Sequence, residues 1–186
     1  MIKFKTERLI LRGWKSSDYA PFARINADQE VMKYFPAPLS KVESNGNADV
    51  ISGLIDKRGW GFWAVEIPDV CPFIGFVGLH IPIAELPFSP CVEIGWRLDK
   101  EFWGYGYATE AARFALEYGF TKLGLDEIVS FTSTQNKASQ AVMERLGMRR
   151  ESETFEHPSI PVGNYLREHF LYRLQRNTWN EIQRSE

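Results

Sequence analysis

Residues 91–120, CVEIGWRLDKEFWGYGYATEAARFALEYGF, contain the pattern on which the fold prediction depends. Cys91–Leu98 alternates β-branched, aromatic and polar residues, as expected of a strand with one buried face. From about Tyr107 onward, alanine and aromatic residues recur at helical spacing, which is typical of an amphipathic helix. Between the two, Trp103–Ala108 forms a tight turn with glycine at alternate positions. The stretch therefore predicts a strand, a turn and a helix in direct succession.

A turn of this kind is suited to holding a phosphate or pyrophosphate. Its backbone N–H groups and the unpaired N–H groups of the helix start converge on one point, where the helix dipole favours negative charge. A glycine-rich connection without any ligand remains an open alternative. A Rossmann dinucleotide turn is disfavoured because Thr109 stands where the third glycine belongs, and a P-loop is excluded because no Gly-Lys-Ser/Thr follows.

The same residues resemble the pyrophosphate loop of the GNAT N-acetyltransferase superfamily, whose pattern is Gln/Arg-x-x-Gly-x-Gly/Ala between a strand and a helix. Gly106 and Ala108 match that pattern, whereas Trp103 replaces its first residue. Residues 102–111, FWGYGYATEA, resemble the variant of a branch that includes the ribosomal-protein serine/alanine N-terminal acetyltransferases. Further segments resemble the same branch in the correct order: residues 6–12, 73–79, 92–98 and 136–148.

Length and composition predict one globular domain, residues 1–186, with 44% hydrophobic residues to form a core. A net charge of -2 gives no electrostatic reason to expect nucleic acid or an anionic membrane surface as a partner. No apolar run reaches the ~20 residues of a membrane span. The N-terminus also lacks the apolar segment of a signal peptide, so we expect a cytoplasmic protein.

The cysteines and histidines show no spacing typical of a metal site or a disulfide framework. Cys71 and Cys91 lie in or beside predicted strands, and we expect them to be buried thiols. We expect no metal.

The order of elements predicts an α+β domain around a mixed, mostly antiparallel sheet flanked by helices. A first strand is predicted over Thr6–Trp14, followed by helices over Tyr19–Asn26 and Gln29–Phe35 and a longer helix capped by Ser40. The resemblance implies the same architecture, the GNAT acyl-CoA N-acyltransferase fold, over the whole length.

The resemblance also implies an activity: transfer of an acetyl group from acetyl-CoA to a primary amine by direct attack on the thioester. The acceptor would be a protein N-terminus, an amino acid or a small amine. By resemblance, coenzyme A would contact Trp96, Arg97, Leu98, Trp103, Gly104, Tyr105, Gly106, Tyr107, Ala108, Thr109, Asn136 and Ser139.

Three residues are candidates for proton transfer. Glu93 is the first candidate for the base because it lies on the predicted fourth strand of the family, although it could be an exposed strand carboxylate. His157 is the second, since the ordinary pKa of histidine suits the task. No tyrosine occurs between Asn136 and Met148, so the resemblance assigns protonation of the leaving thiolate to Ser139. Asn136 could equally serve as the N-cap of the same helix.

A different class of function remains open, namely a non-catalytic acyl-CoA-binding sensor that keeps the phosphate loop but not the proton-transfer groups. Glu93 and Ser139 argue against it. A homodimer is a possible assembly.

Overall fold

The computed structural model describes residues 2–185, which form eight strands and five α-helices. The strands are β1 Lys3–Lys5, β2 Ile10–Arg12, β3 Phe62–Ile67, β4 Cys71–His80, β5 Glu93–Leu98, β6 Glu127–Ser133, β7 Arg149–Glu156 and β8 Glu168–Gln175. The helices are α1 Tyr19–Ala27, α2 Lys41–Arg58, α3 Tyr107–Thr121, α4 Lys137–Arg145 and α5 Arg176–Ser185. Within residues 2–185, no helix is both long enough and apolar enough to cross a bilayer.

The strands join into one sheet in the order β1-β2-β3-β4-β5-β6-β8-β7. The pairs β1–β2, β2–β3, β3–β4, β6–β8 and β7–β8 are antiparallel, whereas β5 and β6 are parallel. This arrangement confirms the predicted α+β class with a mixed, mostly antiparallel sheet and flanking helices.

The chain divides into two compact units, and the boundary falls within β5. The first unit contains the chain up to Leu79 together with Gly95–Phe114. The second contains His80–Ile94 together with the chain from Ala115 onward. That residues 1–186 form one domain stays a prediction.

The first unit has an aromatic core. Phe22 on α1 packs with Phe73 and Phe76 on β4, and Trp14 lies against all three rings at centroid distances of 4.9 to 6.5 Å. A Cβ atom at Gly75 would lie only 2.1 Å from the carbonyl oxygen of Arg97. Glycine at this position therefore allows β4 and the end of β5 to approach closely.

The second unit is held by pairing of β6, β7 and β8 and by a buried tryptophan of α5. Trp179 is 1% exposed, and its Nε1 donates to Glu117 over 2.9 Å. Helix α4 ends at Arg145 with Leu146 as its C-cap, and Gly147 follows with a φ angle of 77°. Gly147 therefore occupies the left-handed position that commonly follows a helix end.

Three sequence predictions are wrong. The segment predicted as a helix over Gln29–Phe35 forms turns, because Lys33 N and Phe35 N donate to carbonyl groups three residues earlier and no run of helical bonds follows. The predicted strand Thr6–Trp14 is reduced to β2, since a turn from Thr6 N to Leu9 O precedes it. Cys71 and Cys91 are half-buried instead of buried.

Candidate active site

The turn between β5 and α3 lies in the first unit and depends on the conformation of two glycines. After β5, Trp103 Nε1 donates to Leu98 O over 2.9 Å. Gly104 and Gly106 have positive φ angles of 82° and 81°. This left-handed region costs a residue with a side chain about 1–2 kcal/mol. Helix α3 begins at Tyr107, so the predicted succession of strand, turn and helix is present.

The first turn of α3 offers backbone N–H groups to an anion. Glu110 N donates to Gly106 O over 3.0 Å. The N–H groups of Tyr107, Ala108 and Thr109 precede that bond and have no acceptor within the helix. The helix dipole makes the same end favourable for negative charge. These groups fit a pyrophosphate held by backbone donors.

A carboxylate in this first turn would repel an anion, and Arg8 neutralises it. Glu110 accepts from Arg8 Nε and Thr6 Oγ1, each over 2.6 Å, and from Arg8 N over 2.8 Å. Burial alone would raise the pKa of Glu110, but these hydrogen bonds lower it. The bond to Glu110 raises the pKa of Arg8 in turn. Sequence reasoning missed this ion pair, although both residues belong to motifs that it singled out.

Arg8 also shapes the turn itself. Its Nη1 donates to Tyr105 O over 3.0 Å, and its guanidinium lies 4.8 Å from the ring centroid of Tyr107. The rings of Tyr105 and Tyr107 stack with centroids 5.8 Å apart. Tyr105 is nevertheless 62% exposed and Trp103 43% exposed. The turn is therefore fixed in shape while remaining open to solvent.

The other predicted coenzyme A residues of the first unit lie at the end of β5. Trp96 and Arg97 are half-buried, and Leu98 is buried. Leu98 is joined to the turn through the indole of Trp103. The first unit therefore brings together the two chain segments predicted to contact coenzyme A, residues 96–98 and 103–109.

Glu93 begins β5 within the second unit. It pairs with Val129 in the parallel register of β5 and β6, and Ser130 Oγ donates to Ile94 O over 2.9 Å. Among residues 2–185, no side chain or backbone group donates a hydrogen bond to the Glu93 carboxylate. Burial raises its pKa from 4.5 to about 8. A carboxyl group with such a pKa can exchange a proton with an amine near neutral pH.

Asn136 and Ser139 are in direct contact at the start of α4. Asn136 Oδ1 accepts from Ser139 N over 3.2 Å, so Asn136 is the N-cap of the helix. Its Nδ2 donates to Ser139 Oγ over 3.0 Å and to Thr132 Oγ1 over 3.1 Å. Because Ser139 Oγ accepts this bond, the hydrogen of its hydroxyl group remains free to be donated.

His157 lies in a different cluster of the second unit. Its ring is 5.1 Å from that of His169 and 5.7 Å from that of Phe131, measured between centroids. Burial lowers its pKa, and the charge of Arg167 adds to the effect. Ser159 N donates to Nδ1 over 3.2 Å, so the neutral ring carries its proton on Nε2. The lone pair that a base would use is therefore already engaged.

Asn136 and Ser139 are thus the two predicted site residues of the second unit that share hydrogen bonds. Within residues 2–185, neither of them forms a hydrogen bond or ring contact with Glu93 or His157.

The sequence of this chain matches a known domain family over most of its length. Residues 8–149 match the acetyltransferase (GNAT) domain. This chain therefore belongs to the GNAT acetyltransferase family, and the predicted family resemblance is confirmed.

Relatives support the same assignment. The chain is 31% identical to an uncharacterized N-acetyltransferase of Bacillus subtilis, YnaD, over 94% of this chain and 98% of YnaD. It is 30% identical to the FsC-acetyl coenzyme A-N(2)-transacetylase of Aspergillus fumigatus, over 87% of this chain and 71% of that protein.

Solved structures show the same fold. A GNAT-family acetyltransferase from Bacillus anthracis is 26% identical with a TM-score of 0.77, covering 95% of this chain and 99% of that one. The ribosomal-protein-S5-alanine acetyltransferase of Vibrio fischeri is 19% identical with a TM-score of 0.74, over 96% of this chain and 99% of the other. These two structures confirm the predicted GNAT fold over nearly the whole chain.

Proposed function

We propose that this protein is an N-acetyltransferase that moves the acetyl group of acetyl-CoA to a primary amine by direct attack on the thioester. The observation that carries the proposal is the turn after β5. There, two left-handed glycines lead into a helix start with free N–H groups, and Arg8 neutralises the nearby Glu110. These features fit the pyrophosphate of coenzyme A.

Bound acetyl-CoA would supply an electrophilic thioester carbonyl and a thiolate leaving group. The backbone of Trp96–Leu98 would pair with the peptide-like pantetheine arm in the manner of an added strand. A backbone N–H near Ile94–Trp96 would stabilise the developing oxyanion.

Proton transfer requires an acceptor for the proton of the amine and a donor for the thiolate. We place the acceptor on Glu93, because its pKa of about 8 matches that of an α-amino group. His157 is less suited, since Ser159 N already occupies its free lone pair. The amine would form the C–N bond first, and the C–S bond would then break as Ser139 gives its hydroxyl hydrogen to the departing sulfur and regains a proton from solvent water. Asn136 would hold that hydroxyl group in place.

The test is release of free thiol from acetyl-CoA, measured with a panel of amines and N-terminal peptides. We expect turnover with at least one acceptor class and about a 100-fold lower kcat in Ser139→Ala. Coenzyme A affinity, measured by calorimetry, should change little in this variant. Ser152→Ala, on the exposed strand β7, is the matched control.

Two results would contradict the proposal in different ways. Binding of coenzyme A without turnover across the panel would support a non-catalytic acyl-CoA sensor. Failure to bind coenzyme A would refute the role assigned to residues 103–109. A homodimer stays a prediction that the same preparation can test by light scattering.

A further inference from the structure

Arg97, in the first unit, contacts an amide oxygen and two aromatic rings through its guanidinium. Its Nη1 donates to Asn26 Oδ1 over 2.7 Å, and its guanidinium lies 4.2 Å from the ring centroid of Phe35 and 5.6 Å from that of Phe76. Among residues 2–185, no carboxylate forms an ion pair with it. Burial lowers its pKa to about 10. A guanidinium in this setting favours a negative partner.

A second arginine of the same unit shows how a buried guanidinium is normally satisfied. Arg12 binds the two carboxylate oxygens of Asp18 over 2.8 and 2.9 Å, and its Nε donates to Glu66 over 2.8 Å. Burial would lower the pKa of Arg12, but these two carboxylates raise it. Arg97 has burial without the carboxylates, so its charge is not explained by the packing of the fold.

The free edge of Arg97 has the geometry that binds a carboxylate. Because Nη1 is engaged by Asn26, the edge formed by Nε and Nη2 has no acceptor among residues 2–185. Nε in particular is buried and without a hydrogen bond. Two parallel N–H donors on one guanidinium edge match the two oxygens of a carboxylate.

Asn26 holds the guanidinium in a fixed orientation. Its side chain is fully buried, and its Nδ2 donates to Ser44 Oγ over 2.8 Å. This bond directs Oδ1 toward Arg97, so the arginine does not need to be ordered when a ligand arrives. Preorganisation of this kind lowers the entropic cost of binding.

Aromatic rings surround the guanidinium of Arg97. Gly95 lies two residues earlier on the strand, so it shares the face of Arg97 and contributes no side chain. The ring of Phe62 packs against that glycine and lies 4.8 Å from the ring of Phe76. Phe35, whose ring covers the guanidinium, is 38% exposed and lies outside the helices and strands, so it forms the solvent side of this cluster.

We propose that Arg97, oriented by Asn26, binds a carboxylate of the amine acceptor, so that the enzyme prefers acceptors that carry an acidic group. This inference rests on the proposed acetyltransferase function. The acidic group is either the α-carboxylate of a free amino acid or an acidic side chain near a peptide N-terminus. Both sources would place two oxygens on the Nε–Nη2 edge.

The experiment compares kcat/KM for matched pairs of acceptors. One arm uses free α-amino acids and their α-amides, and the other uses peptides with Asp or Glu and with Asn or Gln at the second position. In one of the two arms, we expect kcat/KM for the acidic acceptor to exceed that for its amide by about 10- to 100-fold. This ratio corresponds to the free energy of a charge-assisted hydrogen bond. The arm with the preference identifies the source of the carboxylate.

Two variants test whether Arg97 causes the preference. In Arg97→Gln the ratio of acid to amide should fall close to one. Asn26→Asp retains Arg97 and places a carboxylate of the protein itself beside the guanidinium, so it should abolish the preference. This variant tests the role of Arg97 even if Arg97→Gln does not fold. Arg24→Gln, an exposed arginine of α1, is the matched control and should keep the wild-type ratio.

The outcomes separate this inference from the proposed function. Acetyl transfer with equal kcat/KM for acid and amide, or with a ratio unchanged in Arg97→Gln and Asn26→Asp, would overturn the role of Arg97 and leave the acetyltransferase intact. Absence of transfer to any amine would overturn the proposed function. In that case, calorimetry with N-acetyl amino acids and their amides still decides whether Arg97 binds a carboxylate.

Discussion

Replacement of Glu93 by glutamine should increase the stability of the protein above neutral pH. Burial raises the pKa of Glu93 from 4.5 to about 8, and no described residue donates a hydrogen bond to its ionised form. The protonated Glu93 contributes stability that is fully present below pH 4.5, the pKa of the unfolded chain. That stability is lost as the pH rises through about 8, the pKa in the folded protein. Glutamine has the same shape but cannot ionise, so it avoids this loss.

The size of the effect follows from the shift in pKa. Each unit corresponds to about 1.4 kcal/mol, so the change from 4.5 to about 8 amounts to about 5 kcal/mol over the full titration. Between pH 5 and pH 9 the expected difference between Glu93→Gln and wild type is about 4 kcal/mol. Urea unfolding at a series of pH values in this interval measures it directly.

A control variant separates this site from the other carboxyl groups. Glu153→Gln changes an exposed residue on β7 of the same unit and should follow the wild-type pH dependence. If the free energy of unfolding of wild type and of Glu93→Gln changes by the same amount between pH 5 and pH 9, the ionised Glu93 is hydrated or paired with a cation. That result would also remove the physical reason for assigning it as the proton acceptor.

Three further changes test other parts of the structure. Burial lowers the pKa of His169 from 6.5 to about 4. As the pH falls from 6.5 to 4, the free energy of unfolding of wild type should therefore decrease by about 3 kcal/mol more than that of His169→Gln. Urea unfolding measures both values, and equal decreases would contradict the prediction. Gly104→Ala should weaken coenzyme A binding about 5- to 30-fold because of its φ angle of 82°, whereas Gly13→Ala, in open space, should not. Arg8→Met and Glu110→Gln should show a coupling of about 1 kcal/mol in a double-mutant cycle of thermal stability, and strict additivity would refute the ion pair.

The sequence was sufficient to predict elements that are specified by neighbouring residues. Ser40 caps α2 as predicted, through reciprocal bonds with Glu43, and Gly59 ends the helix in a left-handed conformation. The turn before α3 also depends on neighbouring residues, because Gly104 and Gly106 supply its two left-handed positions. The fold class and the turn between β5 and α3 could therefore be predicted without the structure.

The failed helix over Gln29–Phe35 shows where local pattern stops being informative. The Asp28 carboxylate accepts from Glu30 N over 2.8 Å and from Val31 N over 3.2 Å, which forms a turn in place of a continued helix. Lys100 then binds the same carboxylate over 2.8 Å. The last contact joins residues far apart in the chain, so helical spacing in this segment was not decisive.

Long-range partners also explain why the role that we propose for the Arg97 side chain could not be predicted from the sequence. The sequence placed it between Trp96 and Leu98, where the resemblance implied contact with coenzyme A. Its actual neighbour Asn26 is 71 residues away, and no spacing rule connects them. The same holds for Arg8 and Glu110, which are 102 residues apart.

Asn136 shows that a structural and a functional explanation of a motif residue can both hold. Capping of α4 requires only its Oδ1, which accepts from Ser139 N. The donors on Nδ2 are not needed for the cap, yet one of them is directed at Ser139 Oγ. An aspartate would cap the helix equally well, but its carboxylate has no donor for Ser139 Oγ and would accept the hydroxyl hydrogen instead. Asparagine therefore satisfies both the cap and the role that we propose for Ser139.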